Sequence, residues 1–123
     1  MTTIFIIEPD KILASKYSEI LGGKNRQLVS FSTAQLVVKA LEKCIPDLVV
    51  MELALPGNNG FEFLYEIQSY SDSQNVKVVI NSFVQEKTIP WGLINRGDLG
   101  IIAYFEKSFD SINDLKRAVD ANV

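Results

Sequence analysis

Several side chains that can do chemistry stand just past apolar runs in this sequence. Glu8-Pro9-Asp10 follows Ile4-Phe5-Ile6-Ile7, and Glu52 follows Leu48-Val49-Val50-Met51. Asn81-Ser82-Phe83 follows Val76 to Ile80, and Glu106-Lys107-Ser108 follows Ile101 to Phe105. Gathered at one edge of a fold, these positions bring together two or three carboxylates, a hydroxyl and an ammonium. The chain has no histidine, which removes the commonest general base, the commonest metal ligand and any histidine-borne phosphoryl group. What remains is carboxylate, hydroxyl and ammonium chemistry. Taken alone, Glu8 or Ser82 reads as a polar residue where a strand meets solvent. Four such positions after four apolar runs read as a site.

The elements that must position them are legible. Ile4 to Ile7 is short, apolar and β-branched, which predicts a buried strand. Further strands are predicted at 27–31, 48–53, 76–80 and 101–105. Ile12, Leu13, Tyr17, Ile20 and Leu21 recur at helical spacing, and Gly22-Gly23 ends that helix. Ser32 or Thr33 can cap a helix carrying Leu36, Val37, Ala40 and Leu41, stopped by Pro46. Residues 60–70 form a third helix with Phe61, Phe63, Leu64 and Ile67. Asp110 or Ser111 caps a last one with Ile112, Leu115, Ala118 and Val119. Residues 81–100 hold Pro90, Gly92, Gly97 and Gly100, which predicts a loop and then a short helix starting near Pro90. The order is βα repeated five times. It implies an α/β fold, a doubly wound parallel sheet with helices on both faces. Such sheets bind ligands beyond the carboxyl ends of their strands, where the polar groups stand.

The bulk properties narrow the classes. A chain of 123 residues suits one domain, 1–123. Its net charge of −3 and scattered Lys and Arg argue against a nucleic-acid surface. No apolar stretch approaches membrane-spanning length. The N-terminus lacks the basic region of a signal peptide, so a cytoplasmic location is expected. One cysteine, Cys44, rules out an intramolecular disulfide and is expected to be a small buried packing residue.

The segments IFIIEPD (4–10), DLVVMELALPGNNGFEFL (47–64), VKVVINS (76–82) and AYFEKSF (103–109) occur in this order. Together they resemble the receiver domain of two-component response regulators over the whole chain. The resemblance implies a flavodoxin-like (βα)5 fold with strand order 2-1-3-4-5. In that family an aspartate accepts a phosphoryl group from a histidine kinase. A Mg²⁺ ion lies between it and an acidic pair, and a hydroxyl and a lysine bond the phosphoryl oxygens. Glu8, Ser82 and Lys107 match that pattern.

Four positions depart from it. Glu52 stands at the phosphoacceptor position, one methylene longer than aspartate, and a misplacement of about 1 Å can cost on the order of a hundredfold in rate. Pro9 stands at the second acidic position and offers no side-chain oxygen. Asp10 is one residue late and is expected to cap the first helix, with Pro9 in its first turn. Phe83 replaces a small residue; its ring either covers the pocket or packs against a helix. Ser108 replaces a proline that follows a cis bond, so the Lys107–Ser108 bond is expected to be trans.

The expectation is a pseudo-receiver: no enzyme, no cofactor, no metal, with Glu52 a remnant that pairs with Lys107. Its signalling partner would read the face of helix 4, strand 5 and helix 5, which includes Trp91, Leu93 and the switch aromatic Tyr104. Trp91 is either an anchor for that partner or core packing. A homodimer through the same face is possible. The alternative is a working receiver phosphorylated on Glu52, with Mg²⁺ on Glu8, Asp10, Glu52 and the Ala54 backbone. A flavodoxin-like cofactor protein is a third class, but the first βα turn lacks the glycines that cradle a phosphate.

Overall fold

Ile4 to Ile7 lies inside strand β1, Thr2–Ile7, in a computed structural model that describes residues 1–123 apart from the side chain of Asn58. Four more strands complete one parallel sheet: β2 Arg26–Phe31, β3 Leu48–Met51, β4 Lys77–Ser82 and β5 Ile101–Glu106. Their order is β2-β1-β3-β4-β5, and all neighbours run parallel. The chain therefore reverses direction of travel across the sheet after β2, which places β1 and β3 side by side. Ile7 is level with Met51, and Met51 with Ile80. The residues that follow these strands must then emerge together.

Four helices cover the sheet: α1 Lys11–Leu21, α2 Ala34–Leu41, α3 Gly60–Gln68 and α4 Ile112–Ala121. Each begins where a short polar side chain accepts amide hydrogens: Asp10, Thr33, Asn59 and Ser111. Alternate strand residues serve two cores. Phe5, Ile7, Val49, Met51, Val78 and Ile80 pack under α2 and α3. Ile4, Ile6, Leu48, Val50 and Val79 pack with Tyr17 and Leu21 of α1 and Leu115 and Val119 of α4. Both faces of the central strands are buried, which is why they read as unbroken apolar runs.

Several sequence expectations need correction. The crossover from β4 to β5 holds no α-helix. It contains a single 3₁₀ turn, Glu86–Thr88. Pro90 opens one further turn, with Leu93 and Ile94 amides donating to its carbonyl at 2.8 and 3.1 Å. Gly92, Gly97 and Gly100 raise the cost of propagating it, and a single turn cannot repay helix nucleation. Trp91 fills the space instead. Its ring meets Phe61 at 6.2 Å and Tyr104 at 6.3 Å, both edge-on, and the Arg96 guanidinium lies 4.6 Å over it. Trp91 is thus half-buried core packing, while Leu93 is exposed. Cys44 is exposed rather than buried, because α2 stops at Leu41 and Cys44 falls in the turn beyond its apolar stripe. Pro9 precedes the cap Asp10 and so lies outside the first turn of α1.

The third strand ends at Met51, not Leu53. Beyond it Ala54–Leu55 and Asn58–Asn59 form a small antiparallel hairpin around Gly57, whose φ of +72° suits glycine. Gly60 then brings α3 against the turn that follows Glu52, donating its amide to the Leu53 carbonyl at 2.9 Å. A Cβ at Gly60 would lie 2.8 Å from Leu53 Cα and 2.9 Å from Leu53 O. Both are backbone atoms, so something must shift. We expect Gly60→Ala to cost about 1–3 kcal/mol, seen as a Tm lowered by several degrees in a thermal melt. An unchanged Tm would contradict this close approach.

Candidate functional site

The sheet order delivers four side chains to one point. Glu8 follows β1, Glu52 follows β3, Ser82 ends β4 and Lys107 follows β5. Glu8, Glu52 and Ser82 are buried, and the Lys107 side chain is 4% exposed. The backbone ladder continues past the strands to hold them. The Glu52 amide donates to Ile7 O at 3.0 Å, and the Lys107 amide donates to Ser82 O at 2.8 Å.

From the far side of β4, Lys107 reaches across to both acids. Its ammonium donates to Glu52 Oε1 at 2.9 Å and to Glu8 Oε1. Glu52 accepts five hydrogen bonds in all. Oε2 takes the amides of Leu53 at 2.7 Å and Ala54 at 3.1 Å, and the Ser82 hydroxyl. Oε1 takes Lys107 and the Phe83 amide at 3.2 Å. The other oxygen of Glu8 accepts the Asp10 amide at 3.0 Å. Two carboxylates against one ammonium leave the cluster with a formal charge of −1 in a buried place. The backbone amides make up the difference, since an oriented N–H stabilises an anion without adding a counter-charge of its own.

The titration behaviour follows. Burial alone would raise the Glu52 pKa. The hydrogen bonds from Lys107, Ser82 and the Ala54 amide outweigh it and hold the carboxyl below its ordinary value. Burial alone would lower the Lys107 pKa, and its hydrogen bonds to Glu52 and Glu8 raise it instead. Burial, and then the charges of Glu106, Glu52 and Glu86, push the Tyr104 phenol up to about 12. Tyr104 therefore stays a hydroxyl donor, to Val84 O at 2.7 Å.

The remaining predicted residues surround this cluster. Phe83 is 60% exposed, and its ring sits 4.8 Å from the Lys107 ammonium. It covers the lysine rather than being buried against a helix. Asp10 accepts the Ile12 and Leu13 amides at 2.9 and 3.1 Å, so its carboxylate serves α1 and not the cluster. Among the described residues no three His, Cys, Asp or Glu side chains are grouped to hold a metal ion. The Lys107–Ser108 bond is trans. Ser108 opens a turn closed by Asp110, which accepts the Glu106 amide at 2.7 Å and donates its own amide to Glu106 O at 2.8 Å. In the sequence Asp110 shows only as a possible helix cap. The amides of Leu53, Ala54 and Phe83 carry no sequence signal, because backbone donors have no residue signature.

The cluster makes a signed prediction. Glu52 stabilises the fold fully above its unfolded value of 4.5, and this is lost as pH falls through its depressed folded value. Lys107 stabilises below its unfolded value of 10.5, and this is lost as pH rises through its raised folded value. Lys107→Met leaves two buried carboxylates uncompensated and should cost about 3–5 kcal/mol at neutral pH. Urea unfolding should show that deficit shrinking in acid, where the orphaned Glu52 carboxyl takes up a proton. A deficit independent of pH would contradict the charge argument.

Known proteins carry the same frame. The model of the response regulator receiver domain family matches residues 4–120. The sensory transduction protein BceR of Halalkalibacterium halodurans is 27% identical over 109 residues, covering 89% of this chain and 45% of that protein. The chain thus spans about half the length of this curated relative. Among solved structures, a sensor protein from Polaromonas sp. JS666 superposes with a TM-score of 0.82 at 17% identity, covering 98% of this chain and 94% of that one. The Thermotoga maritima response regulator TrrA, in complex with Mg²⁺-BeF, superposes at 0.78 with 18% identity and full coverage of both chains. The chain belongs to the response regulator receiver domain family.

Proposed function

We propose that this receiver is a pseudo-receiver, a protein-interaction module of a two-component pathway that works without phosphorylation on aspartate. One observation carries this reading: the Glu52 carboxylate already holds the Ser82 hydroxyl, the Lys107 ammonium and the neighbouring amides. These are the donors that a phosphoryl group would need. A carboxylate placed one methylene further out than aspartate imitates the phosphorylated side chain, with less charge than a phosphoryl group carries. Phosphoryl transfer needs in-line access and free cationic groups for the equatorial oxygens. Here Phe83 covers Lys107, and Lys107 is committed to two acids.

The donor set does not fit Mg²⁺. That ion demands octahedral oxygen ligands at short range. Pro9 has no side-chain oxygen, Asp10 caps α1, and the Lys107 ammonium already bridges Glu8 and Glu52. The lysine takes the cation's part between the carboxylates. In this reading the module needs no cofactor and catalyses no reaction.

The pocket is tied to a surface. The Ser82 hydroxyl accepts the Val84 amide at 3.0 Å, and the Val84 carbonyl accepts the Tyr104 hydroxyl. With Glu52 fixing Ser82, this chain of bonds holds Tyr104 half-buried against Trp91. A partner protein, or a second copy, reads the face built from residues 83–100, β5 and α4. The expected helix 4 is absent from that face. Among the described residues no helix is long and apolar enough to cross a membrane.

The test is incubation with acetyl phosphate and Mg²⁺, followed by intact mass. The wild type should gain nothing, and the double variant Glu52→Asp/Pro9→Asp should gain one phosphoryl group. A phosphorylated wild type would make Glu52 a working acceptor and sink this reading.

A further inference from the structure

The carboxylates are spread unevenly along the chain. From Cys44 to Val76 there are five, and no Lys or Arg. Two are accounted for: Asp47 accepts the Thr3 amide, and Glu52 lies in the pocket. The other three, Glu62, Glu66 and Asp72, lie on α3 and the loop after it. Glu62 and Glu66 lie four residues apart on the side of α3 that faces α2, and Tyr70 extends the line just past the helix end. Opposite them α2 presents Val38 and Leu41, and Ile45 continues that line past the helix end.

Between the two stripes runs a groove. It comprises a hollow of about 510 Å³ and a smaller one of about 110 Å³, with Val38 lining both. Its floor is open, with Val38, Leu41, Ile45 and Tyr70 as an apolar line beside Ser69, Ser71 and Ser73. Ile45 is 37% exposed and Tyr70 42% exposed, and Val38 and Leu41 are half-buried. Its rim is acidic. Glu42 and Asp72 stand beside the larger hollow, and Glu62 and Glu66 beside the smaller. Among the described residues none of these four carboxylates enters an ion pair. Among the described residues the Glu66 carboxylate accepts only the Tyr70 hydroxyl, at 2.9 Å.

We propose that this groove docks a basic amphipathic helix of a partner protein. Apolar side chains at helical spacing would seat on Val38, Leu41, Ile45 and Tyr70, and Lys or Arg on the flanks would meet the acidic rim. The nine residues of α3 span about 13 Å, enough for two to three turns of a guest. A two-fold contact between copies would set one acidic rim against the other, which disfavours a homodimer here. Anionic lipid headgroups are repelled for the same reason. This surface lies away from the Glu52 pocket, and the inference stands whichever way Glu52 behaves.

The probe is a synthetic Leu/Lys amphipathic peptide of roughly 14 residues, about four helical turns, titrated into ¹⁵N-labelled protein. Amide shifts should concentrate at Val38, Leu41, Ile45, Glu66 and Tyr70. Charge reversal with Glu62→Lys/Glu66→Lys should weaken binding about tenfold or more, and Glu19→Lys/Asp98→Lys on other faces should change it less than about twofold. Glu62→Gln/Glu66→Gln, which adds no repulsion, should give an intermediate loss, and the dispersion of the spectra reports folding. A peptide with Glu for Lys should not bind. Absence of binding, shifts centred elsewhere, or equal loss in both reversal variants would overturn the proposal. So would sedimentation as a dimer that Glu62→Lys/Glu66→Lys dissolves.

Discussion

The ammonium of Lys107, held between Glu8 and Glu52, is the interaction on which the rest of the site depends. It joins residues from β1, β3 and β5, and so it closes the carboxyl end of the sheet across β4. Buried ion pairs seldom add much net stability, because desolvation consumes the Coulomb gain. Their strength lies in what happens when one member is missing, since an orphaned buried charge is costly. This cluster has one more acid than base, so it depends on amides as well. The turn after Glu52 supplies two of them, and that turn exists because Gly60 lets α3 approach the Leu53 backbone. Sequence, turn geometry and electrostatics thus converge on one carboxylate.

The consequence proposed for signalling is a pocket whose Ser82 and Lys107 donors are already engaged from within. A ligand shifts an equilibrium only by its differential interaction with the two states. Where Ser82 and Lys107 are already engaged by Glu52, little differential interaction is left for a phosphoryl group to supply. In the proposed pseudo-receiver, the bonds from Ser82 through Val84 to Tyr104 carry a fixed state outward to the surface. That surface is also unusual for its missing helix. Trp91, clasped by Phe61, Tyr104 and Arg96, closes the core that a helix would otherwise cover.

Much of this was legible in the residues. Apolar runs marked the three central strands because both of their faces are buried, and short polar residues marked the helix starts because unpaired amides need acceptors. The Glu52–Lys107 pair followed from the family resemblance, which sets the residues after β3 and β5 at one pocket. What the residues hid has physical causes. Pro90 looked like a helix start, yet three nearby glycines keep the segment to single turns. Cys44 looked buried because its type usually is, but the helix ends three residues earlier. The amides that hold Glu52, and the Asp110 brace under Lys107, depend on loop conformation, which side-chain periodicity does not encode.

The central claim is that Glu52 is an ionised carboxylate satisfied by protein donors. The most direct measurement is a ¹³C NMR titration of the Glu52 side-chain carboxyl, with and without Mg²⁺. The account predicts a midpoint below the ordinary value of 4.5, unmoved by the ion. A midpoint at or above that value, or one that Mg²⁺ displaces, would mean that the carboxylate is free to bind a metal and would contradict the account.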